Sequence, residues 1–196
     1  MNAHPLWGSY YNYNYHTAGV AWAMMNLAKY SGDSTYDRYA KNYTDFHIRT
    51  KPFIEYQVKE LYGFNSVNHF IIETPLLDFT LAPSLPYVER LLNDSDFNNR
   101  KNYEDWVNDK INYALNVQSR DQDGHFNRLI PVKYTTWTDD MFMGLPFLVL
   151  ASQWSKDSNL KHRLIEDAVS QVFAFNDHVW DSEVCLYRHA QYSEHQ

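Results

Sequence analysis

The stretch MFMGLPFLVLASQWSKDSNLKHRLIEDAVSQVF, residues 141–173, holds two helical patterns of different kinds on either side of one break. Before the break, Met141 to Trp154 is apolar around most of a helical circumference, which predicts a helix buried on several sides. Ser155-Lys156-Asp157-Ser158 interrupts it with turn chemistry. After it, Leu160, Leu164, Ile165, Ala168, Val169, Val172 and Phe173 recur at i, i+4, i+5, i+8, i+9, i+12 and i+13, a single apolar stripe on a helix whose other face is wet. An inner helix, a short turn and an outer helix make an αα-hairpin.

The same plan occurs twice upstream. Tyr15 to Tyr30, rich in Ala and Met, is broken at Ser31-Gly32-Asp33-Ser34, and Tyr36, Tyr39, Ala40, Tyr43 and Phe46 then follow at helical spacing. Leu81 to Leu92 is broken at Asn93-Asp94-Ser95-Asp96, and Tyr103, Trp106, Val107, Ile111, Ala114 and Leu115 then mark one face. The turn residues Asp33, Asp94 and Asp157 lie 61 and 63 residues apart, the near-constant period of a repeat. Alternating inner and outer helices build an all-α, two-layered α/α toroid. Such a barrel closes with six hairpins, and three are present, so residues 1–196 read as a single partial (α/α)6-barrel domain, truncated at its C-terminal side within a polar link. Pro83 and Pro86 fall inside the second inner helix, which should therefore start late or kink, because a mid-helix proline removes a hydrogen bond. Asp123-Gly124 with residues 125–131, and Val179 to Arg188 with Val184, Leu186 and Trp180 as apolar contacts, read as short extended links on one rim.

Composition narrows the function classes. A chain of 196 residues with 44% hydrophobic and 21% charged residues can bury a sizeable core, which excludes disorder. A net charge of −7 without any Lys/Arg run argues against nucleic-acid binding. The single cysteine, Cys185, excludes an intrachain disulfide framework and a multi-cysteine zinc site, and between Val184 and Leu186 it reads as a small core residue. No stretch reaches the roughly 18 apolar residues of a membrane span. Residues 1–8 lack the basic patch and apolar core of a secretion signal, and localisation stays open. Aromatic residues make up 17% of the chain, a content that suits a sugar-lined cleft and equally fills a helical core. GxGxxG, Walker, HExxH, CxxC and GxSxG motifs are absent, and the nine histidines include no i, i+4 pair, so no metal and no cofactor are expected.

Candidate chemistry concentrates in residues 134–147. An extended link ends at Trp137, Asp139 and Asp140 follow, and the apolar inner helix begins. Thr138 or Asp139 as N-cap, with Asp140 favourable to the helix dipole, explains the pattern structurally. Against that stands Asp78, in the same setting 61 residues earlier. Equivalent positions on successive hairpins project toward one mouth of a toroid. Two carboxylates brought together there repel, and one pKa rises, while the helix N-terminus favours the anion.

The segments YNYHTAGVAWAMMNL (13–27), TPLLDFTLAPSL (74–85), DGHF (123–126), WTDDMFMGLPF (137–147) and LYRHA (186–190), in this order along the chain, resemble the unsaturated rhamnogalacturonyl and glucuronyl hydrolases of glycoside hydrolase family 105 and its relative, family 88. The resemblance implies removal of a Δ4,5-unsaturated uronic acid from the non-reducing end of lyase-generated oligosaccharides. The double bond is hydrated rather than the anomeric centre attacked. Asp139 matches the general acid/base, whose pKa must lie near the working pH, and Asp78 the second carboxylate. His189, Trp137, Tyr15 and His16 match substrate-binding positions. Arg188 could meet the substrate carboxylate, although in an alternating strand it points opposite to His189; His125 reads as a plain loop histidine. No metal or cofactor is implied, and neither a nucleic acid nor a membrane is an expected partner. Three hairpins leave apolar edges through which copies could self-associate. A non-catalytic α/α scaffold, with the aspartates as caps, is the alternative, and a toroid enzyme of another chemistry, such as a sugar epimerase, is a third reading.

Overall fold

A computed structural model describes residues 10–192; residues 1–8 and the chain end at Gln196, both read above from sequence, lie outside the described residues. Among the described residues six α-helices follow one another: α1 (Tyr15–Ser31), α2 (Ser34–Lys59), α3 (Leu85–Asn93), α4 (Arg100–Asn116), α5 (Asp139–Trp154) and α6 (Ser158–Val179). Four short strands join them: β1 (Thr135–Trp137), β2 (Trp180–Asp181), β3 (Leu186–Tyr187) and β4 (Ala190–Tyr192). α3 packs against α1 on one side and α5 on the other, forming the inner layer. α2, α4 and α6 back them from outside as the second members of three αα-hairpins. The α/α toroid architecture expected from the repeat is present, with three hairpins of it.

The hairpin turns show why the sequence folds this way. At the first, Gly32 takes the left-handed conformation (φ 73°) and its N–H caps Ala28 O, then Asp33 caps α2 through Thr35 N at 2.8 Å. At the third, Asp157 caps α6 through Asn159 N (2.8 Å) and Leu160 N (3.3 Å). The second departs from the repeat. Asp94 ends α3 rather than starting α4, and α4 begins six residues later, after Asn99 at φ 65°.

The second inner helix also differs from the Leu81 to Leu92 expected. Two 3-10 turns, Leu77–Phe79 and Ala82–Ser84, precede α3, which begins only at Leu85. Pro83 falls within the second turn, and Pro86 in the first turn of α3, where no intrahelical bond is lost. The late start places Asp78 in a 3-10 turn at the head of the inner layer.

Aromatic residues fill the space between the layers. Tyr13, Tyr43, Tyr87, Tyr103 and Phe70 are essentially inaccessible, and Phe70 stacks on Trp106 at 4.0 Å between ring centroids. Much of the high aromatic content is therefore core. Gly144 marks a close approach in the inner layer. A Cβ there would lie 2.9 Å from Phe126 Cε2 and 3.1 Å from Leu77 Cδ1, so the "Met-Gly" of the motif is a packing requirement. The α6 stripe is only half used: Leu164 and Ala168 are buried, whereas Val169 and Phe173 are 50% and 66% exposed.

The links form two small antiparallel pairs. β1 pairs with β4 (Thr135 opposite Tyr192, Trp137 opposite Ala190), and β2 pairs with β3. Two expectations for the second link fail. Val184 and Leu186 are exposed rather than packed, and Cys185 is exposed at φ 56° in the turn between β2 and β3, not in a core. A two-strand ribbon with a tight turn has too little depth to bury its tip. Among the described residues no helix is long and apolar enough to cross a membrane.

Candidate active site

Three carboxylates converge on one arginine at the head of the inner layer. Arg128 lies in the extended link, bonded through its backbone to Thr135 (N to O, 2.8 Å), and is 6% exposed. Its Nε and Nη2 donate to both oxygens of Asp140 at 2.8 Å, a bidentate fork. Nη2 also lies 3.2 Å from Asp139 Oδ2 and 3.0 Å from Asp78 Oδ2. The Asp78 contact is an ion pair without hydrogen-bond alignment, and that oxygen has no hydrogen-bond partner. The Trp137 ring covers the guanidinium at 4.5 Å. One cation thus faces three acids.

The elements fix these positions. Asp139 and Asp140 are the first two residues of α5, where the helix dipole favours negative charge. Thr138 occupies the N-cap position but makes no side-chain cap; its hydroxyl donates to Arg188 O instead. Asp140 is not a solvent-facing first-turn acid either, being 1% exposed and clamped by Arg128. Burial, against the pull of Arg128, pushes the Asp140 carboxyl up to about 6. Burial also raises Asp78, with Arg128 opposing and Asp139 adding to the rise. Burial works against the Arg128 charge, yet Asp140, Asp78 and Asp139 hold its pKa above the ordinary value.

Asp139 is the least buried of the three, with 36% of its side chain exposed against 13% for Asp78 and 2% for Asp140. Its Oδ1 has no hydrogen-bond partner and lies 3.8 Å from His189 Nε2. The β1–β4 pairing delivers that histidine: Thr138 N donates to His189 O at 2.9 Å, and the His189 ring meets Trp137 edge-on at 4.9 Å. Tyr15 and His16, at the start of α1, pack ring against ring at 3.7 Å. Burial raises the Tyr15 phenol, and the charges of Asp78 and Asp139 add to the rise; the charge of His16 lowers Asp78. Asp78, Asp139, Trp137 and His189 thus gather around Arg128, and Tyr15 and His16 lie near enough to interact electrostatically with Asp78. Arg188 pairs with Asp181 at 3.0 Å and donates to Gln191 Oε1 at 3.2 Å.

Sequence reasoning missed Arg128, the hub of the cluster. The available signal was a lone arginine in the link Phe126-Asn127-Arg128-Leu129-Ile130, next to two apolar residues. His125 lies in the link as expected, but it is not a solvent-facing histidine. It is 1% exposed, with Nε2 on Thr136 Oγ1 at 2.8 Å, and burial together with His178 lowers its imidazole to about 4.

The sequence profile of Glycosyl Hydrolase Family 88 matches residues 4–196. Among solved structures, the chain is similar to a possible member of the GH105 family from Salmonella enterica serovar Paratyphi A. The TM-score is 0.71 at 15% identity, over 94% of this chain and 42% of that one. It is also similar to a possible GH105 member from Klebsiella pneumoniae, with a TM-score of 0.67 at 16% identity over 93% and 41% of the two chains. The chain thus spans about two-fifths of the length of these structures. No curated protein matches it.

Proposed function

The chain belongs to Glycosyl Hydrolase Family 88, and from that premise we propose that it is the Asp-bearing part of a hydrolase acting on Δ4,5-unsaturated uronyl oligosaccharides. One observation carries the reading: of the three acids gathered on one buried arginine, Asp139 is the most exposed, with 36% of its side chain accessible against 13% for Asp78 and 2% for Asp140, and its Oδ1 has no hydrogen-bond partner. In the proposed reaction Asp139 donates a proton to C4 of the C4=C5 double bond, and water adds at C5 as Asp139 takes a proton back. The resulting hemiketal opens and expels the rest of the oligosaccharide. No redox or group-transfer partner is required. Arg128 draws Asp140 and Asp78 into the cluster and fixes the approach to Asp139. His189 and Trp137 line one side of the sugar site, Tyr15 and His16 the other. Residues 1–196 act as one partial barrel domain in this reading, and the exposed half of the α6 stripe supports self-association, which light scattering tests; a monodisperse monomer removes that part.

The test follows loss of the ultraviolet absorbance of the conjugated double bond on mixing the protein with lyase-generated oligosaccharides, wild type beside Asp139→Asn. Asparagine keeps the size and the contact to Arg128, so stability should change by no more than about 1 kcal/mol. Turnover should fall about 10²–10⁴-fold, the usual worth of a general acid/base. Equal rates in the two proteins would remove Asp139 from the chemistry, and silence in both would remove the activity from this chain.

A further inference from the structure

A second cluster of ligating side chains sits behind the carboxylates, assembled from two distant stretches of chain. Asp123 and His125 flank Gly124, whose left-handed conformation (φ 84°) turns the chain so that both side chains meet α6. His178 is the penultimate residue of α6. One ligand atom from each of Asp123, His125 and His178 falls within a sphere where no two are more than 4.8 Å apart. His178 Nε2 already approaches Asp123 Oδ2 at 3.2 Å, and the two imidazole rings lie 4.1 Å apart.

The independent sign of a ligand is His125. Its side chain is 99% buried, Nε2 is engaged by Thr136, and Nδ1 is buried with no hydrogen-bond partner. A buried polar nitrogen without a partner is costly, and a metal ion satisfies it. The Thr136 bond is the outer-shell contact that fixes a ligating imidazole's orientation and tautomer. Asp121, on the same turn, has a buried oxygen without a partner, and its charge reaches His125. Asp123 is half exposed, which leaves a path for an ion to enter.

We propose that Asp123, His125 and His178 form a binding site for a divalent transition-metal ion of the zinc type. Two imidazoles and one carboxylate suit that class, whereas magnesium and calcium prefer all-oxygen sets. Metal–nitrogen distances of about 2.0–2.1 Å require the three groups to draw together, a movement that Asp123 and the end of α6 can make at the surface. The bound ion ties the Asp123–Phe126 turn to the end of α6. That turn leads directly into Arg128, so the ion braces the link that holds the three catalytic-side carboxylates without touching them.

The experiment uses the intact chain, stripped with a chelator and titrated with Zn²⁺ by calorimetry, and with Co²⁺ to read ligand-field absorption. Wild type, His178→Gln, Asp123→Asn and His162→Gln are compared. His162 pairs with Glu166 at 2.9 Å on the exposed face of α6 and serves as the control for casual surface binding. The expected result is one site per chain, at least tenfold weaker in His178→Gln and Asp123→Asn and unchanged in His162→Gln. Saturating Zn²⁺ should raise the wild-type Tm by about 5 °C. Absence of binding at concentrations below about 100 µM, or equal affinity in wild type and the two ligand variants, overturns the proposal. Because Asp123 is exposed, its variant decides the matter even if His178→Gln misfolds. None of these readings depends on turnover, so failure of the hydrolase assignment leaves the result intact.

Discussion

Two buried arginines stand near opposite ends of the inner helix α3, and their company differs. Arg90, toward the end of α3, is 6% exposed and meets one carboxylate, Asp45, at 2.7 Å. Its other partners are neutral: Tyr103 OH at 2.5 Å, Thr44 Oγ1 at 3.3 Å, and the Phe97 ring at 4.1 Å. Arg128, beside the head of α3, is equally buried but meets three carboxylates. Charge at Arg90 is matched one to one, the arrangement expected of a structural ion pair. Acid at Arg128 exceeds base by two if every group is ionised. A surplus of buried negative charge has no stabilising purpose, and it is the excess that the proposed acid/base role of Asp139 draws on.

Breaking the arginines one at a time tests the contrast. Arg128→Met leaves three carboxylates without their counter-ion and should destabilise the fold by about 3–5 kcal/mol, read from urea unfolding at neutral pH. The loss should shrink in acid, as protonation removes the uncompensated charge. A next, smaller effect belongs to Asp140. Its folded-state pKa, about 6, lies above the ordinary value of 3.8, so its share of stability is complete below pH 3.8 and disappears as pH rises through 6. Asparagine does not titrate. The stability of wild type relative to Asp140→Asn should therefore fall by on the order of 3 kcal/mol between pH 4 and 7; a flat difference would mean that the carboxylate is ionised throughout. Least affected should be Arg90→Met. It strands only Asp45, which is 28% exposed and can rehydrate, so about 1–3 kcal/mol is expected, with little pH dependence. An Arg90 loss equal to that of Arg128 would erase the distinction between the two sites.

Much of the scaffold was readable because apolar periodicity and turn aspartates are local signals. Asp33 and Asp157 cap the helices they were expected to mark, and the three hairpins stack in the order of the repeat. Asp78 and Asp139 stood out through their 61-residue spacing, although Asp139 opens α5 while Asp78 sits in a 3-10 turn seven residues before α3. What escaped notice depends on tertiary contact. Arg128 looks ordinary in its link, and only the fold shows that three acids surround it. Asp140 reads as a helix-start residue until its burial is known. His125 and His178 are 53 residues apart, and no spacing rule joins them. Cys185 failed in the other direction, since apolar neighbours in sequence say nothing when the ribbon that carries them stands clear of the core.

Gly144 gives the mouth its scale. Its absent side chain lets α5 settle against Leu77, the neighbour of Asp78, and against Phe126, two residues before Arg128. Ionic attraction in the cluster is long-ranged and tolerant of an ångström, whereas contact between a helix backbone and a ring edge is not. The spacing of the acids is therefore gauged by a hard stop in the apolar layer beneath them. Any relative of this chain that carries a larger residue at that position must have reshaped Leu77 or Phe126 to compensate, and the pair should be read together with the glycine as one three-part spacer.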